Sequence, residues 1–330
     1  MHGYADYTSA LLWVMADTAG PIDISWRPDA AGRRAQLTLD ASATSGNVVL
    51  ARLTGLAPGK AVPYRVTGDG DSRDGTLTAQ PYWSEARGGA RSRHRVWLVL
   101  LSGRSRSDLG RTGLTAAASR SSMPSPRMKP DLMIWVGDNL YFQDSDELDP
   151  AAMAMRYRRQ RTFAPLQKLL TAAPHLAIWD DHDYGPNDAD MSYVMKGESL
   201  QLFRRYWANP SYGLPDVPGV FGRAAGATST SSCWTTAGTA PPIARVDGPG
   251  KTMFGAQQLA WLQQCAHLLA GADRSSCVNG NQMWNRVNRF EGWNHFASEQ
   301  TGVRGLAARA EDRRRRVPVR RPSFQRTAEE

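Results

Sequence analysis

Apolar and polar residues alternate in short runs through the first quarter of the chain. The runs, all between residues 10 and 80, are ALLWVMAD, IDISW, AQLTLDA, NVVLARL, VPYRVTGD and GTLTA, and turn-forming stretches such as DAAGRR, LAPGK and GDGDSRDG separate them. A period of two with frequent turns is typical of half-buried antiparallel strands. The pattern therefore predicts a small antiparallel β-sandwich ahead of the rest of the chain.

A different pattern begins after residue 129. DLMIWVGD (131–138) and HLAIWDD (175–181) are continuous apolar runs that end in acidic residues, and the helix-like stretch PAAMAMRYRRQRTFAPLQKLL (150–170) lies between them. Strands buried on both faces that alternate with helices are typical of an α/β fold with a parallel sheet. Two more helices are predicted over 192–207 and 255–271, the second with Leu residues at helical spacing.

The segment between the two patterns has the composition of a linker. QPYWSEARGGARSRHR is rich in Gly, Ser and Arg and carries neither period. With 330 residues, 41% of them hydrophobic and 22% charged, the chain is long enough for two globular domains. We expect a β domain over 1–85, a linker over 86–95 and a second domain over 96–330.

The positive charge of the chain is confined to two segments. The net charge is +9, but residues 84–130 hold ten Lys and Arg against two acids, residues 301–330 hold nine Arg against four acids, and the remainder is at −4. No interleaving of aromatic and basic residues and no helix-turn-helix pattern accompanies these runs. Specific nucleic-acid binding is therefore not expected.

Neither a membrane span nor a signal peptide is predicted for this chain. No window reaches eighteen apolar residues, and the first residues lack a basic stretch before their short apolar run. The three Cys residues are odd in number and lack CxxC spacing, so neither a disulfide framework nor a zinc knuckle is supported.

Both acidic clusters follow predicted parallel strands, and ligands bind at the carboxyl ends of such strands. The predicted cluster comprises Asp138 and Tyr141 from one loop and Asp180, Asp181, His182 and Asp183 from the other. Carboxylate oxygens suit hard cations, and a phenolate suits ferric iron. A metal there would lower the pKa of a bound water and neutralise phosphate oxygens, and His182 could stabilise the developing charge or protonate a leaving group.

Each of these residues also has a structural interpretation. Asp138 could cap a following helix, residues 180–183 could form an exposed turn before Pro186, and Tyr141 could be ordinary packing. Three further His residues are expected to be structural or solvent-facing, and two Trp residues are expected to be core residues beneath the site; they are His175, His267, His295, Trp135 and Trp179. The pairing of two acidic loops on matched strand ends favours the metal site.

Several motifs resemble the alkaline phosphatase D (PhoD-like) family of metallophosphoesterases. PDLMIWVGDNLYF and, some forty residues later, PHLAIWDDHDYGPND carry the most specific resemblance. WANPSYGLPDVPGVF, KTMFGAQQLAWL and VNGNQMWNRVNRFEGWNHFASEQ resemble further parts of that family in its usual order. SALLWV and LTGLAPGKAVPYRV resemble the fibronectin-like domain that often precedes it. The resemblance covers most of residues 4–85 and three long blocks after residue 129.

The resemblance implies a metallophosphoesterase-type layered α/β sandwich after a fibronectin-like β-sandwich. It further implies Fe3+ with Ca2+, and a metal-activated hydroxide that attacks a phosphomonoester or phosphodiester. By matching position, Asp138 and Asp181 would be metal ligands, Tyr141 an iron ligand and His182 the catalytic histidine. Further candidates are Asn139, Asp180, Asp183 and Asn187. Members of this family are often exported, and the compartment and oligomeric state of this chain are left open.

Three expected features of the family are missing. A strand ending in Ser-Cys is replaced by VWLVLLSGR (96–104), an FFLLDDR strand by residues 224–247, and a late SGDxH strand by RRRRVPVRRPSFQRTAEE. Codons can be chosen for 231–236 and 317–324 so that a shifted frame reads FLLDD and FLSGDRH. We therefore hypothesise frame-shifted segments around 96–128, 224–247 and 311–330, which would leave the C-terminal part of the second domain incomplete and its activity weak or absent.

Two other functions compete with a phosphoesterase. The first is a catalytically dead scaffold of the same fold whose β domain binds a surface polymer. The second is a nucleic-acid-binding protein driven by its Arg runs, which the missing aromatic-basic pattern disfavours. Stoichiometric metal in the purified chain would distinguish the enzyme from the scaffold.

Overall fold

A computed structural model describes most of the chain. The described residues are 1–28, 34–82, 96–99, 130–225, 229–234, 240–269, 274–287 and 292–316. The predicted linker, and all of the basic segment 84–130 except residues 96–99 and 130, lie outside the described residues, as do the last fourteen residues.

Seven antiparallel strands form two sheets over residues 2–78. The strands are β1 (His2–Ala5), β2 (Ser9–Met15), β3 (Gly20–Trp26), β4 (Ala35–Ala41), β5 (Val48–Thr54), β6 (Ala61–Gly68) and β7 (Asp71–Thr78). The sheet orders are β1-β2-β5 and β4-β3-β6-β7. The six alternating runs correspond to β2 through β7, so the prediction of antiparallel sheets is confirmed, whereas β1 was missed. The fibronectin-like assignment and the domain boundaries stay predictions.

The connection between β6 and β7 is tighter than the sequence analysis expected. GDGDSRDG (68–75) was predicted as a turn-forming break, but only Asp69 and Gly70 separate the paired residues Gly68 and Asp71. Asp69 has a φ of 55° and Gly70 a φ of 73°. Two successive residues in the left-handed region are typical of a two-residue hairpin turn that matches the twist of the strands. The predicted turn is therefore present but shorter than the predicted break, because β7 already begins at Asp71.

The two apolar runs after residue 129 pair as predicted. β8 (Val96–Val99), β9 (Leu132–Val136) and β10 (His175–Ile178) form a parallel sheet with the order β10-β9-β8. Met133, Ile134 and Ile178 have no exposed surface, as expected for strands covered on both faces. The parallel sheet places the residues after β9 and β10 at the same edge.

The helix predicted over 150–170 is two helices. α1 (Pro150–Thr162) ends at Phe163, and α2 (Ala164–Leu170) begins directly after it. Pro165 has no amide hydrogen to donate to the Arg161 carbonyl, which interrupts the helical hydrogen-bond ladder. The Gln167 side chain donates to that carbonyl instead, at 3.1 Å.

Two of the four other helices that the structure describes were predicted from the sequence, with slightly different ends. They are α3 (Asp181–Tyr184), α4 (Lys196–Tyr206), α5 (Gly255–Leu269) and α6 (Ala297–Arg316). The helices predicted over 192–207 and 255–271 are thus confirmed as α4 and α5, whereas α3 and α6 were not predicted. None of the described helices combines the length and the hydropathy needed to cross a membrane.

Another three-stranded sheet lies in the second half of the chain, after the short hairpin of β11 (Gly213–Leu214) and β12 (Val217–Pro218). It consists of β13 (Gly222–Ala225), β14 (Ser229–Trp234) and β15 (Arg274–Asn279), with β14 parallel to β15. Strand β14 falls within residues 224–247, where the family strand was expected to be lost. The backbone therefore still forms a strand in this segment. The hypothesis of a frame shift stays a prediction.

Strand β2 joins the N-terminal sheets to the parallel sheet. Ala10 and Leu12 lie in the core between the two antiparallel sheets, whereas Leu11 and Trp13 lie in the core around β9 and β10. The indole nitrogen of Trp13 donates to the Arg205 carbonyl at 2.7 Å. The two regions are thus packed together through both faces of one strand.

Candidate metal centre

Asp138 and Asp181 lie side by side at one edge of the parallel sheet. Val136 at the end of β9 pairs with Ile178 at the end of β10, so the loops that follow start from adjacent positions. One ligand atom from each of Asp138, Asp181 and His182 lies within 4.8 Å of the others. The structure therefore brings together the two acidic loops as the sequence predicts.

Gly137 allows the two loops to approach each other. Its φ is 100°, in a region that favours glycine, and a Cβ at this position would lie 2.7 Å from the Asp180 Cβ. Asp138 follows with a φ of 51°, and the next helix begins only at Pro150. The interpretation of Asp138 as a helix cap is therefore wrong, because this residue lies in a left-handed turn that directs it to the second loop.

Asp138 is half-buried, and one of its two carboxylate oxygens accepts a hydrogen bond. The Tyr141 hydroxyl donates to Oδ2 at 2.9 Å, while Oδ1 is buried and makes no hydrogen bond in the described part of the chain. Burial raises the pKa of Asp138 to about 6, and the Asp181 charge adds to the rise, while His182 and the Tyr141 hydrogen bond oppose it. Negative charge is thus costly here without a cation, and an oxygen is available to bind one.

Asp181 and His182 complete the cluster from the second loop. Asp181 is buried, and its Oδ2 accepts a hydrogen bond from the backbone N–H of Asp188 at 2.7 Å. Burial raises the pKa of Asp181, and His182 is the main opposing influence. The His182 ring is half-buried, with its centroid 4.3 Å from that of Tyr141. Tyr141 thus contacts residues of both loops.

The interpretation of residues 180–183 as an exposed turn is wrong. Asp180, Asp181 and Asp183 are 7%, 3% and 0% exposed, and residues 181–184 form the short helix α3. The backbone N–H of Asp180 donates to Asp183 Oδ2 at 3.1 Å. Burial raises the pKa of Asp183 well above its usual range. Three buried carboxylates in four positions need a compensating charge, which favours a cation.

The other candidates differ in position. Asn139 is fully buried and donates its side-chain amide to the Ile178 carbonyl at 2.7 Å, which ties the first loop to β10. Asn187 is exposed and donates to Asp188 Oδ2 at 2.7 Å. Asn139 therefore supports the cluster from below, whereas Asn187 lies at its solvent side. Their roles, like those of the other site candidates, stay predictions.

Trp135, Trp179 and His175 occupy the core positions expected of them. Trp135 and Trp179 are almost fully buried, and the Trp135 indole N–H donates to His175 Nδ1 at 2.9 Å. His175 Nε2 lies 3.1 Å from the Leu169 carbonyl and donates to it. His175 is thus a core residue. His295 is half-buried in a short 3-10 turn, and the side chain of His267 is not among those that the structure describes.

A third loop borders the site and was missed by the sequence analysis. A Cβ on Gly280 would lie 2.6 Å from the Trp179 carbonyl and 3.4 Å from Asp180 Cγ. The neighbouring Asn281 is 7% exposed, and its buried Oδ1 makes no hydrogen bond within the described residues. The sequence offered a signal for this loop, because Gly280 and Asn281 directly follow the end of β15 at Asn279. The contact of the loop with Trp179 is set by tertiary packing, which the sequence pattern does not show.

Two of the three expected family features fall on undescribed parts of the chain. Residues 100–104 and 317–330, where the Ser-Cys and SGDxH motifs are missing, lie outside the described residues. Among the residues that the structure describes, Asp138, Asp181 and His182 form the one cluster of three potential metal ligands. The number of ligands beyond this cluster therefore stays a prediction.

The fold of this chain is similar to that of two solved phosphatases. A structure of PhoD matches with a TM-score of 0.66 at 16% identity, covering 94% of this chain and 68% of that one. A purple acid phosphatase from yellow lupin (Lupinus luteus) seeds matches with a TM-score of 0.51 at 12% identity, covering 81% of this chain and 47% of the phosphatase. No protein-family model and no curated protein matches the chain. The chain therefore shares the α/β fold, with antiparallel β-sheets, of these two proteins.

Proposed function

We propose that this chain is a metal-dependent phosphoesterase of the PhoD-like type. The observation that carries the proposal is the cluster of Asp138, Asp181 and His182, whose ligand atoms lie within 4.8 Å of one another at the edge of the parallel sheet. The similarity of the fold to two phosphatases supports it. Ligands commonly bind at this edge in α/β proteins, which agrees with the position of the cluster.

The residues of the cluster fit a hard cation. Asp138 Oδ1 is buried without a hydrogen bond, two carboxylates have raised pKa values, and a phenolic oxygen lies 2.9 Å from Asp138 Oδ2. Such oxygens suit Ca2+, and a phenolate with carboxylates suits Fe3+, so we propose these two ions. A bound cation would supply positive charge that neutralises phosphate oxygens and lowers the pKa of a water.

The side chains of the site divide into three roles in this proposal. Asp138 and Asp181 would hold the cation, one from each loop. Tyr141 either adds its oxygen as a further ligand or keeps Asp138 oriented through the hydrogen bond seen in the structure. His182 lies beside both carboxylates and is placed to act as general acid toward the leaving oxygen of a phosphomonoester or phosphodiester.

Turnover and metal content of matched variants test this function. With iron and calcium supplied, the wild-type chain should hydrolyse an aryl phosphate or a diaryl phosphate, and Asp138→Asn should lower turnover and metal content together. The loss of turnover should exceed about 100-fold, because removal of a ligand should cost more than the 10- to 100-fold typical of outer partners. Asp131→Asn, at the exposed opposite end of β9, is the matched control. Equal activity in wild type and Asp138→Asn would contradict the proposal.

The second candidate is a scaffold of the same fold without activity. It is favoured by the small number of donors, since the described residues supply one cluster from only two loops. Under this interpretation the N-terminal sheets would bind a surface polymer. Elemental analysis separates the two candidates: a purified scaffold should carry no stoichiometric iron or calcium, whereas the enzyme should.

A further inference from the structure

A buried arginine lies under the loop that follows β9 (residues 137–149, the metal-site loop), and within the described residues no carboxylate forms an ion pair with it. Arg161 is 2% exposed, and its guanidinium carbon lies 4.3 Å from the ring centroid of Trp207 and 5.9 Å from that of Trp13. It donates to the Tyr206 carbonyl at 2.9 Å and to the side-chain oxygen of Gln160. The aromatic rings and these acceptors fix the orientation of the guanidinium.

Gln160 connects this arginine to the residue after Asp138. Gln160 is also 2% exposed, and its Nε2 donates to the Asn139 carbonyl. The orientation of the amide is determined by its neighbours: Arg161 can only donate, and a carbonyl can only accept. Oε1 therefore faces Arg161, and Nε2 faces Asn139.

Asn139 is held a second time, from the other loop. Its side-chain amide donates to the Ile178 carbonyl at 2.7 Å and lies 3.4 Å from Asp183 Oδ2. The peptide that follows Asp138 is thus held by α1 on one side and by β10 on the other. These contacts determine the orientation in which the loop presents Asp138 to Asp181.

The turn at Asp138 needs such support. A non-glycine residue in the left-handed region costs roughly 1 kcal/mol or more and persists only where its surroundings hold it. Asp138 has a φ of 51°. Without the Gln160 contact, the turn could relax toward an ordinary conformation and move the carboxylate away from Asp181.

We propose that Gln160 is a positioning residue for the metal-site loop, and that Arg161 sets the orientation of its amide. This inference rests on the metal site proposed above. Because Arg161 lies against Trp13 of β2, the N-terminal sheets contribute to the position of Asp138 through the contacts Trp13–Arg161–Gln160–Asn139. All four residues of this series are buried.

Gln160→Glu selectively breaks one contact in the series Trp13–Arg161–Gln160–Asn139. The substitution keeps an acceptor for Arg161 but replaces the donor to Asn139 with a second acceptor.

Terbium(III) is the probe, because it is a hard cation and its luminescence can be excited through nearby Tyr141. Titration gives its affinity, and luminescence lifetimes in H2O and D2O give the number of waters bound to it. We expect affinity to fall about 10-fold or more and the number of bound waters to rise, because a displaced carboxylate is replaced by water.

Matched variants separate this role from a general loss of stability. Gln167→Glu makes the same change in an amide that donates to the backbone carbonyl of Arg161 at 3.1 Å, without contact to Asn139. It should leave terbium affinity and hydration unchanged. Gln160→Met carries no charge and serves as the second variant should Gln160→Glu not fold; it should show the same loss of affinity and the same added water.

The outcomes distinguish this inference from the proposed function. If the wild type does not bind terbium, or if Asp138→Asn binds it equally well, both proposals are overturned. If binding depends on Asp138 but a folded Gln160→Glu or Gln160→Met binds terbium with wild-type affinity and hydration, the positioning role alone is overturned. A loss of affinity in Gln167→Glu as large as in Gln160→Glu would also overturn it.

Discussion

The Tyr141 hydroxyl donates a hydrogen bond to Asp138 Oδ2 at 2.9 Å, three residues away in the same loop. The Tyr141 ring also lies against the His182 ring of the other loop. One aromatic side chain therefore contacts a proposed ligand and the proposed acid together. Its hydroxyl cannot keep the proton in this hydrogen bond and also bind iron as a phenolate.

Tyr141→Phe distinguishes these two roles. If Tyr141 is an iron ligand, the iron-loaded wild type should show visible phenolate-to-iron charge-transfer absorption, and the variant should lose it together with about 10-fold or more of iron affinity. Absorption spectra and elemental analysis measure both. Tyr82→Phe, at an exposed tyrosine outside the site, is the control. Unchanged spectra in Tyr141→Phe would leave only the orienting role.

Gly137→Ala should separate the two loops. The new Cβ would lie 2.7 Å from the Asp180 Cβ, and the φ of 100° is strained for alanine. We expect a loss of about 2 kcal/mol in the free energy of unfolding and a lower metal affinity. Urea denaturation and metal titration measure the two effects. Gly248→Ala, where a Cβ has open space, should change neither; a Gly137→Ala variant that matches it would contradict the role of Gly137.

A partly buried ion pair between Asp146 and Arg156 anchors the metal-site loop to α1. Asp146 accepts hydrogen bonds from Arg156 and, at 2.9 Å, from the backbone N–H of Gln143. Asp146→Ala leaves both donors without this partner and should cost about 2 kcal/mol of stability. Asp74→Ala breaks the exposed pair with Arg65 and should have no measurable effect. Urea denaturation should show this contrast, and equal effects of the two variants would contradict it.

His175 should make the protein less stable in acid. Burial lowers its pKa from 6.5 to about 3, the hydrogen bond to Leu169 opposes this, and the positive charges of the N-terminus, His2 and Arg161 add to the lowering. Between these pH values the unfolded chain binds a proton that the folded chain does not, so stability falls as the pH drops below about 6.5. The contribution should reach about 2 kcal/mol at pH 5.

The measurement is urea denaturation of wild type and His175→Gln at pH 7.5 and pH 5. Glutamine can accept from Trp135 and donate to Leu169 but does not titrate. The wild type should therefore lose about 2 kcal/mol more than the variant between the two pH values. Parallel losses in both proteins would show that another group, such as the buried His2, causes the acid sensitivity.

The sequence predicted those parts of the structure that depend on local periodicity. Strands β2 to β7 follow the alternating runs, and the pairing of β9 with β10 follows from two apolar runs separated by a helical stretch. The split at Phe163 was missed although Pro165 is visible in the sequence. Its cause is a single absent amide hydrogen, which a pattern of apolar residues does not register.

The missed parts of the site depend on contacts between distant residues. Gln160 and Arg161 belong to RYRRQR, whose charge is typical of a solvent-exposed helical face, yet both are buried, and the rings of Trp13 and Trp207 lie against the Arg161 guanidinium. The contact of Gly280 with Trp179 joins residues about one hundred positions apart. Only packing between elements determines which polar residues become buried, so the supports of the site were not predictable from composition or spacing.

The two-sided burial of β2 limits how this architecture can be recombined. Leu12 faces one core and Trp13 the other, so no cut between the N-terminal sheets and the α/β region leaves both surfaces intact. A chimera that takes its first seven strands from a relative must also match the partners of Trp13 on α1 and α4. The N-terminal region is therefore not an exchangeable module, and substitutions in it should be inherited together with those beneath the metal-site loop.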